Sequence, residues 1–392
     1  MAEHRDGGWD MVSLAQRDPN EKHRTATPLE LFVDLASVIA IAAAAAGLHH
    51  GVAEGHTKEA VFTFLLAFGS TWWAWLNYTW FASAYDDGSR VFRILTFIFL
   101  AGALVMAAGI REFFHSHHPG LILAGYVIMR VAMVALWLAA AGSDSHSRKT
   151  CLRYAAGIAL TQCYWILLIA GFWQWGPLML GLYLAGMAVE LAVPVWAERA
   201  GPTPWHRHHI IERYGLLTII VLGEMLLGIS GAIFSAWNDG VVSGALARLA
   251  ASGMVLTFSM WWAYFCREDH LQSRDARRTF VWGYGHFLVF AAAAATGAGF
   301  GVMTDVLTHH AHVDAKAGHW AIAIPVAIYF AGLWFIRDRF HQKGTDAAIL
   351  LIAGLACLVA PFSPWPVESL AAVAVAAAAW RTWRTEASVR PA

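Results

Sequence analysis

The chain has 392 residues, and its 27 basic side chains balance its 27 acidic ones, so the formal net charge is zero. Hydrophobic residues make up 58% of the sequence and charged residues only 14%, whereas soluble domains carry about 25% charge. This composition excludes an ordinary soluble protein and gives no reason to expect a nucleic-acid partner. The lipid bilayer is the expected surrounding of most of the chain.

Apolar stretches recur along the whole sequence, and twelve of them are predicted membrane spans. The predicted spans are residues 28–49, 60–84, 91–110, 120–141, 152–172, 177–197, 211–235, 244–265, 280–304, 319–336, 346–361 and 366–382. The last two are short and rich in alanine. The pattern predicts an all-α fold, a polytopic integral membrane helix bundle of about 12 transmembrane helices.

The distribution of Lys and Arg predicts the orientation of these spans. Most of these residues lie in the two tails and in alternate loops, and the intervening loops contain only Lys58, Arg111, Arg248 and Lys316. Because cytoplasmic loops are enriched in Lys and Arg, both termini are expected on the cytoplasmic side of the inner membrane. Residues 1–27 and 385–392 are the predicted cytoplasmic tails. The first tail has no apolar signal-peptide core, so the first span is expected to act as the targeting signal.

Two sets of similar residues indicate an internal repeat. The repeated elements are Glu30 and Glu212 at the starts of spans 1 and 7, and the sequences Trp72-Trp73-Ala74 and Trp261-Trp262-Ala263 in spans 2 and 8. Their separation corresponds to six spans, an even number, so the two six-helix halves are predicted to be parallel. The halves are residues 28–205 and 206–384. Some secondary transporters have this arrangement, but fold analogy alone is weak support for a function.

Glu224 is the most informative charged residue. It lies in the apolar run 216–229, 12 residues after Glu212, which is about 18 Å along a helix and near the middle of a ~30 Å apolar core. An ionisable group at that depth is costly unless it faces protein or water, so Glu224 is a candidate for proton or ion coupling. The alternative is a hydrogen-bonded carboxyl group that joins two helices, with Gly228 and Gly231 allowing a close approach.

Two further carboxylates, Glu30 and Asp34, are one turn apart on the first span and share a face near its cytoplasmic end. They are also candidates for ion coupling. The alternative is that they only complement the helix dipole, which favours negative charge at a helix N-terminus.

Arg130 is the one cation that lies far from both ends of a predicted span, near the middle of span 4. A buried arginine needs an anion, and the options are Glu224, Glu190 on span 6, a substrate carboxylate or a phosphate group. An ion pair with Glu190 would be structural. Pro194, one turn after Glu190, should kink span 6, which would suit a hinge or an ion site.

The histidines fall into two groups. Those in the predicted extracellular loops, His115, His117, His118, His309, His310 and His312, are read as solvated loop residues because no further ligand completes a metal site. His209 follows His206 and His208, can share a helix face with Glu212, and is a candidate proton relay or gate at the cytoplasmic end. His286 on span 9 is a candidate for proton transfer or for a hydrogen bond between helices.

The paired tryptophans Trp72, Trp73, Trp261 and Trp262 lie well inside their spans. They could line the path of an organic substrate, or they could pack in the core and face lipid. The four cysteines, Cys151, Cys163, Cys266 and Cys357, have neither disulfide-framework nor zinc-site spacing, and no metal or other cofactor is predicted.

Three segments together resemble the bacterial low temperature requirement A family. They are Thr27-Pro28-Leu29-Glu30-Leu31-Phe32-Val33-Asp34-Leu35, His209-Ile210-Ile211-Glu212-Arg213-Tyr214-Gly215-Leu216, and Ile219-Ile220-Val221-Leu222-Gly223-Glu224. The resemblance covers nearly the whole chain and implies a polytopic inner-membrane protein. It carries over as positions of interest Glu30, Asp34, Arg130, His209, Glu212, Arg213 and Glu224. The His-rich residues 205–208 and the alanine run 42–46 depart from the pattern.

The leading hypothesis is a secondary transporter or exporter of a small molecule or ion, with protons or a cation coupled through Glu224 and Asp34. An intramembrane enzyme acting on a lipid or isoprenoid-like substrate is the alternative, with Glu224 or Asp34 as the acid. A third reading is a membrane sensor or assembly partner that transports nothing. The sequence has no nucleotide-binding loop and no nucleophile–base motif, which disfavours the enzyme. It does not determine the substrate or the oligomeric state.

Overall fold

A computed structural model describes residues 14–22, 24–172, 176–238, 244–266, 271, 275–341 and 344–389. Within these residues the regular secondary structure is helical throughout. Twelve α-helices longer than a single turn occur there, and each coincides with one predicted span. In chain order they are α1 Pro28–Ala53, α2 Thr57–Tyr85, α3 Arg90–Ser116, α4 Gly120–Ser143, α5 Arg148–Phe172, α6 Pro177–Glu198, α7 Arg207–Asn238, α8 Gly244–Phe265, α9 Ala276–Leu307, α10 Ala315–Leu333, α11 Thr345–Val359 and α12 Pro366–Val389.

Eight helices in the described part of the chain are long and apolar enough to cross a membrane: α1, α3, α4, α5, α6, α7, α9 and α10. The predicted all-α, polytopic membrane helix bundle is therefore confirmed. Membrane crossing by α2, α8, α11 and α12 stays a prediction from the sequence.

The chain forms two compact units. The first unit contains residues 1–37 and 73–210, and the second contains residues 38–72 and 211–392. Three helices, α1, α2 and α7, contribute residues to both units. The duplication into halves 28–205 and 206–384 stays a prediction, and residues 38–72 are grouped with the later part of the chain.

In the first unit, small residues allow two consecutive helices to approach closely. A Cβ atom added to Gly102 on α3 would lie 2.7 Å from the carbonyl oxygen of Gly125 on α4, so no larger residue fits there without movement. The next hairpin, α4 and α5, is joined by only four residues, 144–147, so its helices are antiparallel. Near that connection Trp137 stacks on Tyr154, with ring centroids 4.1 Å apart and planes 4° from parallel.

In the second unit, α10 continues through a π-helical turn, Trp334–Asp338, and a last short turn, Arg339–His341. The π-helical turn contains Arg337, which is buried. Its Nη1 donates a hydrogen bond to the carbonyl of Tyr264 at 2.8 Å, and its Nη2 donates to the carbonyl of Ala263 at 2.9 Å.

Arg381 on α12 reaches the same end of α8, because its Nη1 donates to the carbonyl of Ala263 at 2.9 Å. Asp338 accepts hydrogen bonds from both Arg337 and Arg381, each at 3.1 Å, and so lies between the two guanidinium groups. The last carbonyls of a helix have no partner within the helix. Here two buried arginines from later parts of the chain supply that partner.

Candidate functional site

The central polar residue of the first unit is Glu190 on α6, which is buried. Its Oε2 accepts hydrogen bonds from Arg130 Nη2 at 2.7 Å, from the Tyr126 hydroxyl at 2.9 Å and from the indole N–H of Trp73. Its Oε1 accepts from Trp165 Nε1 at 3.0 Å. Donors from α2, α4 and α5 thus surround one carboxylate, and together these five residues form what we call the Glu190 cluster.

The cation of the Glu190 cluster is Arg130. Its guanidinium carbon lies 4.6 Å from the centroid of the Tyr126 ring, and its Nη2 also donates to the Tyr126 hydroxyl. Of the anions that the sequence left open for Arg130, the structure pairs it with Glu190. The charges of the pair balance, which is the usual condition for tolerating buried ions.

Glu30 is fully buried at the start of α1. Its Oε2 accepts the backbone N–H of Thr27 at 2.7 Å, while the Thr27 hydroxyl accepts the N–H of Glu30 at 3.3 Å. This reciprocal pair is a capping box, which the sequence Thr27-x-x-Glu30 could have predicted. Glu30 Oε1 also lies 3.2 Å from Arg24 Nη2 and 3.0 Å from His209 Nε2. His209 therefore contacts Glu30, a partner that its three-residue spacing from Glu212 in the sequence did not suggest.

Asp34 is also fully buried, one turn further along α1. Its Oδ1 accepts a hydrogen bond from Trp75 Nε1 at 2.7 Å. Trp75 was not among the candidate residues, although it follows the Trp72-Trp73-Ala74 sequence directly. A tryptophan that donates to a buried carboxylate cannot be distinguished by sequence from one that only packs.

The N-terminal segment, residues 14–22 and 24–27, packs against the ends of helices in the first unit. The backbone N–H of Leu14 donates to the Ser143 hydroxyl at 2.8 Å, and Arg17 Nη1 donates to the carbonyl of Asp86 at 2.7 Å. The Arg17 guanidinium also bonds Glu21 and lowers the pKa of that carboxyl. These contacts fix the chain just before Glu30.

Asp86, directly after α2, accepts hydrogen bonds from the Thr27 hydroxyl at 3.1 Å and the backbone N–H of Gly88 at 3.0 Å. Burial raises the pKa of the Asp86 carboxyl, and the nearby Glu30 carboxylate raises it further. His206 caps the N-terminus of α7, because its Nδ1 accepts the backbone N–H of His209 at 3.2 Å. Burial lowers the pKa of the His206 imidazole.

Glu224 lies in the second unit, beside a cavity of about 290 Å³ bounded by α1, α7 and α9. The cavity is lined by Ala42, Ala45, Ala46, His49, Glu224, Leu227, Gly228, Gly231, Gly297, Ala298, Gly301, Thr304 and Asp305. We call it the Glu224 cavity. Among the described residues, no hydrogen bond or ion pair occupies the Glu224 carboxylate. The Glu224 cavity could hold several water molecules, since each occupies about 30 Å³ of liquid.

Glycines set the spacing of the helices around this cavity. A Cβ atom added to Gly297 on α9 would lie 3.1 Å from the carbonyl carbon of Glu224, and one added to Gly228 would lie 3.0 Å from the carbonyl oxygen of Gly297. The close approach expected of Gly228 is therefore present. A Cβ atom at Gly231 would meet nothing within 4 Å, so Gly231 borders open space.

A second titratable pair lines the Glu224 cavity. His49 Nε2 on α1 lies 2.7 Å from Asp305 Oδ2 on α9, and both side chains are partly exposed. Gly297, Gly301 and Asp305 follow one another at four-residue intervals on one face of α9, so the pair lies about 12 Å along that helix from the level of Glu224. Sequence reasoning missed both residues. The four-residue spacing from Gly297 through Gly301 to Asp305 places these residues on one helix face, and this pattern could have suggested Asp305.

His286 is buried on α9, and its two ring nitrogens are both engaged. Nδ1 lies 2.8 Å from the carbonyl of Trp282 on the same helix, and Nε2 lies 3.0 Å from the hydroxyl of Tyr264 on α8. Since the carbonyl can only accept, Nδ1 carries the proton and Nε2 accepts from Tyr264. This arrangement agrees with a hydrogen bond that joins two helices.

The remaining candidates are divided between core and surface. Trp72 is buried and packs edge-on against Phe287, with centroids 5.2 Å apart. Trp261 and Trp262 are 44% and 51% exposed, and Trp262 donates to the Thr382 hydroxyl at 2.8 Å. Their exposure agrees with the lipid-facing reading.

Arg213 is fully buried on α7, and its neighbour Glu212 is half-buried. Neither borders the Glu224 cavity. The described residues contain no group of three or more His, Cys, Asp or Glu side chains placed to hold a metal ion.

The long apolar helices, with charged residues enclosed among them, define a polytopic α-helical membrane protein. A family profile described as "Bacterial low temperature requirement A protein (LtrA)" matches residues 25–382. The chain belongs to this family, as the resemblance of its motifs implied.

A curated relative is similar over most of its length. The uncharacterized protein RA0937 of Rhizobium meliloti (strain 1021) is 27% identical over 303 residues, which cover 72% of this chain and 70% of that protein. No solved structure matches the chain significantly.

Proposed function

We propose that this protein is a secondary transporter in which protons or another cation are coupled through Glu224. The observation that carries the proposal is the Glu224 cavity, where a carboxylate midway along α7 meets open space. Intramembrane acids that face a cavity are characteristic of proton and ion pathways. The sensor reading does not require such a cavity.

The surroundings of Glu224 suit reversible binding of a cation. Apart from His49, Thr304 and Asp305, the other residues that line the cavity are alanine, glycine and leucine, which offer no competing charge. A carboxylate that is not committed to a protein partner can bind a proton or a cation and release it again when the cavity opens. By contrast, the carboxylate of Glu190 is already surrounded by four donors, so we assign it a structural role in the first unit.

His49 and Asp305 extend the proposed path along the cavity. In the orientation expected from the Lys and Arg distribution, this pair lies toward the extracellular ends of α1 and α9. An imidazole beside a carboxylate is a common proton-transfer pair, so His49 and Asp305 are suited to pass protons between the cavity and the outside solution. Glu224 would be the deep binding group and the His49–Asp305 pair the outer one.

The test uses the purified protein in liposomes that contain a pH-sensitive dye. Proton flux is followed after a pH gradient is imposed, with a panel of candidate solutes inside or outside. Glu224→Gln keeps the shape of the side chain but cannot titrate, and we expect it to abolish gradient-dependent flux. Glu59→Gln, on the exposed first turn of α2, is the matched control and should leave flux unchanged. Unchanged flux in a folded Glu224→Gln variant would refute the proposal.

One observation favours a lipid-binding role as the second candidate. The second unit has another cavity, of about 340 Å³, bounded by α1, α2, α9 and α10 and lined almost entirely by apolar side chains such as Phe64, Phe287 and Trp320. It suits an acyl or isoprenoid chain. However, none of its lining residues is titratable. Such a cavity supports binding better than catalysis, so product analysis of the same liposomes should find unaltered lipid.

A further inference from the structure

Arg130 and Gln162 are buried polar side chains of the first unit with unused hydrogen-bonding groups. Arg130 is 2% exposed, and its Nε and Nη1 have no hydrogen-bond partner among the described residues. Gln162 on α5 is 6% exposed, and both its amide nitrogen and its amide oxygen lack a partner there. Three guanidinium N–H groups and one complete amide are therefore unused.

The register of α4 and α5 places these two residues at the same depth. Trp137 and Tyr154 stack on each other near the connection of this antiparallel hairpin. Arg130 comes seven residues before Trp137 and Gln162 eight residues after Tyr154, which correspond to about 10 Å and about 12 Å in the same direction. Arg130 and Gln162 thus lie at one level of the hairpin.

Gln162 also lies one turn from a member of the Glu190 cluster. It precedes Trp165 by three residues and so shares a face of α5 with it. Trp165 donates to the same carboxylate that pairs with Arg130. By this spacing, the unused groups of both residues belong to the same buried part of the first unit.

Buried polar groups of native proteins are almost always satisfied, because each unsatisfied group retains its full desolvation cost. Two such groups at one level, which do not bond each other, indicate a place where something else binds. The unused donors and the unused acceptor define which chemical groups the ligand must carry. Arg130 and the Gln162 amide nitrogen require acceptor oxygens, and the Gln162 amide oxygen requires a donor.

The charge balance restricts the ligand further. Arg130 is already neutralised by Glu190, so an anion at its free side would add an unbalanced charge to the interior, which is costly. We infer that Arg130 and Gln162 form the binding site of a small uncharged solute with a carbonyl oxygen and an N–H or O–H group, of the amide type. The Glu190 cluster holds Arg130 in position for it.

Small amide-type solutes would then be the substrate class of the proposed transporter. Only the step from binding to transport rests on that proposed function. Binding can be measured without it. Glu224→Gln should abolish coupled flux and retain binding, whereas a failure of the site would leave proton movement through Glu224 intact. The two proposals therefore fail in different experiments.

The test compares acetamide with acetate, which have nearly the same shape but differ in charge. The full-length protein in detergent is unfolded thermally at rising concentrations of each, up to about 100 mM, because a ligand of four heavy atoms binds weakly. A ligand that binds only the folded state raises Tm. We expect a concentration-dependent rise in Tm with acetamide and none with acetate.

Two variants locate the effect. Gln162→Leu has a similar volume without the amide and should lose the acetamide response. Thr161→Val is the matched control, because the Thr161 hydroxyl already bonds the carbonyl of Gly157, and it should keep the response. An equal or larger shift with acetate would overturn the assignment in favour of an anion site. If neither probe shifts Tm, or if the acetamide shift persists in Gln162→Leu, the assignment is wrong and water alone satisfies the unused groups. The comparison of the two probes on the unaltered protein stands even if a variant does not fold.

Discussion

The imidazole ring of His49 occupies the space that a side chain at position 301 would need. A Cβ atom built on Gly301 of α9 would lie 2.8 Å from His49 Nδ1, closer than such atoms approach in real structures. The absence of a side chain at 301 thus allows His49 to reach Asp305. This relationship connects a small residue of α9 with the outer titratable pair of the Glu224 cavity.

The first prediction concerns Gly301. Gly301→Ala should displace the His49 ring and separate it from Asp305, while the helix itself gains from the higher helix propensity of alanine. We expect normal folding with slower proton flux in liposomes. Gly231→Ala is the control, because it lines the same cavity and its Cβ meets nothing within 4 Å. Equal flux in the two variants would show that the His49–Asp305 pair is not part of the path.

The second prediction concerns the Glu190 cluster. Arg130→Met leaves the buried Glu190 carboxylate without its cation and should cost about 3–5 kcal/mol of unfolding free energy. Trp165→Phe removes one N–H donor and should cost about 1–3 kcal/mol. The measurement is unfolding of the purified protein in detergent. Val131→Ala, at the neighbouring lipid-facing position, is the control and should change stability by less than about 0.5 kcal/mol.

The indole hydrogen bonds to Glu190 also determine the expected result of a charge swap. Exchanging the charges of Arg130 and Glu190 should not restore stability, because an arginine at position 190 cannot accept the hydrogen bonds of Trp73 and Trp165. A swapped variant as stable as the unaltered protein would show that the ion pair alone matters and that the indole donors contribute nothing.

The third prediction concerns pH and His206. Its Nδ1 must be unprotonated to accept the N–H of His209, and burial lowers the pKa of this imidazole from the usual 6.5. The unfolded chain therefore binds the proton more readily, so stability should fall as the pH drops below about 6.5 toward the folded pKa. Proteolysis of residues 14–22 should become faster over this range, because the same imidazole contacts the carbonyl of Glu21 at 2.9 Å. His206→Asn keeps a capping side chain without titration and should remove most of the pH dependence.

The fourth prediction concerns topology. With both termini cytoplasmic, a cysteine at Lys316 should react with an impermeant thiol reagent in intact cells, and a cysteine at Arg199 should react only after the cells are opened. The four native cysteines are first replaced by serine or alanine. Reaction at both positions, or at neither, would contradict the predicted orientation.

The sequence predicted the twelve helices well because apolar length and interrupting loops depend on local composition. It also singled out Glu224, Glu30, Asp34 and Arg130, because a charge within an apolar run is conspicuous. The position of each charge along its helix followed from the number of residues that separate it from the start of that helix.

What the sequence could not provide is which neutral side chains receive or donate to those charges. Trp75 and Trp165 each donate to a buried carboxylate, yet in the sequence they resemble any tryptophan that packs against lipid or core. Gln162 was likewise overlooked because an uncharged amide in a span has several ordinary roles. These partners depend on the register between helices, which no local pattern specifies.

The π-helical turn at Trp334–Asp338 also has a consequence for the tolerance of this chain to length changes. A π-helical turn contains one residue more than the α-helical turn it replaces. Deleting one residue from 334–338 would make the helix more regular, but it would also rotate the residues on one side of the deletion by about 100° relative to those on the other. Arg337 and the carbonyl groups at the end of α8 would then lose their alignment. At this position a shorter and more ideal helix would be the defective one, so natural relatives should vary here by substitution and seldom by length.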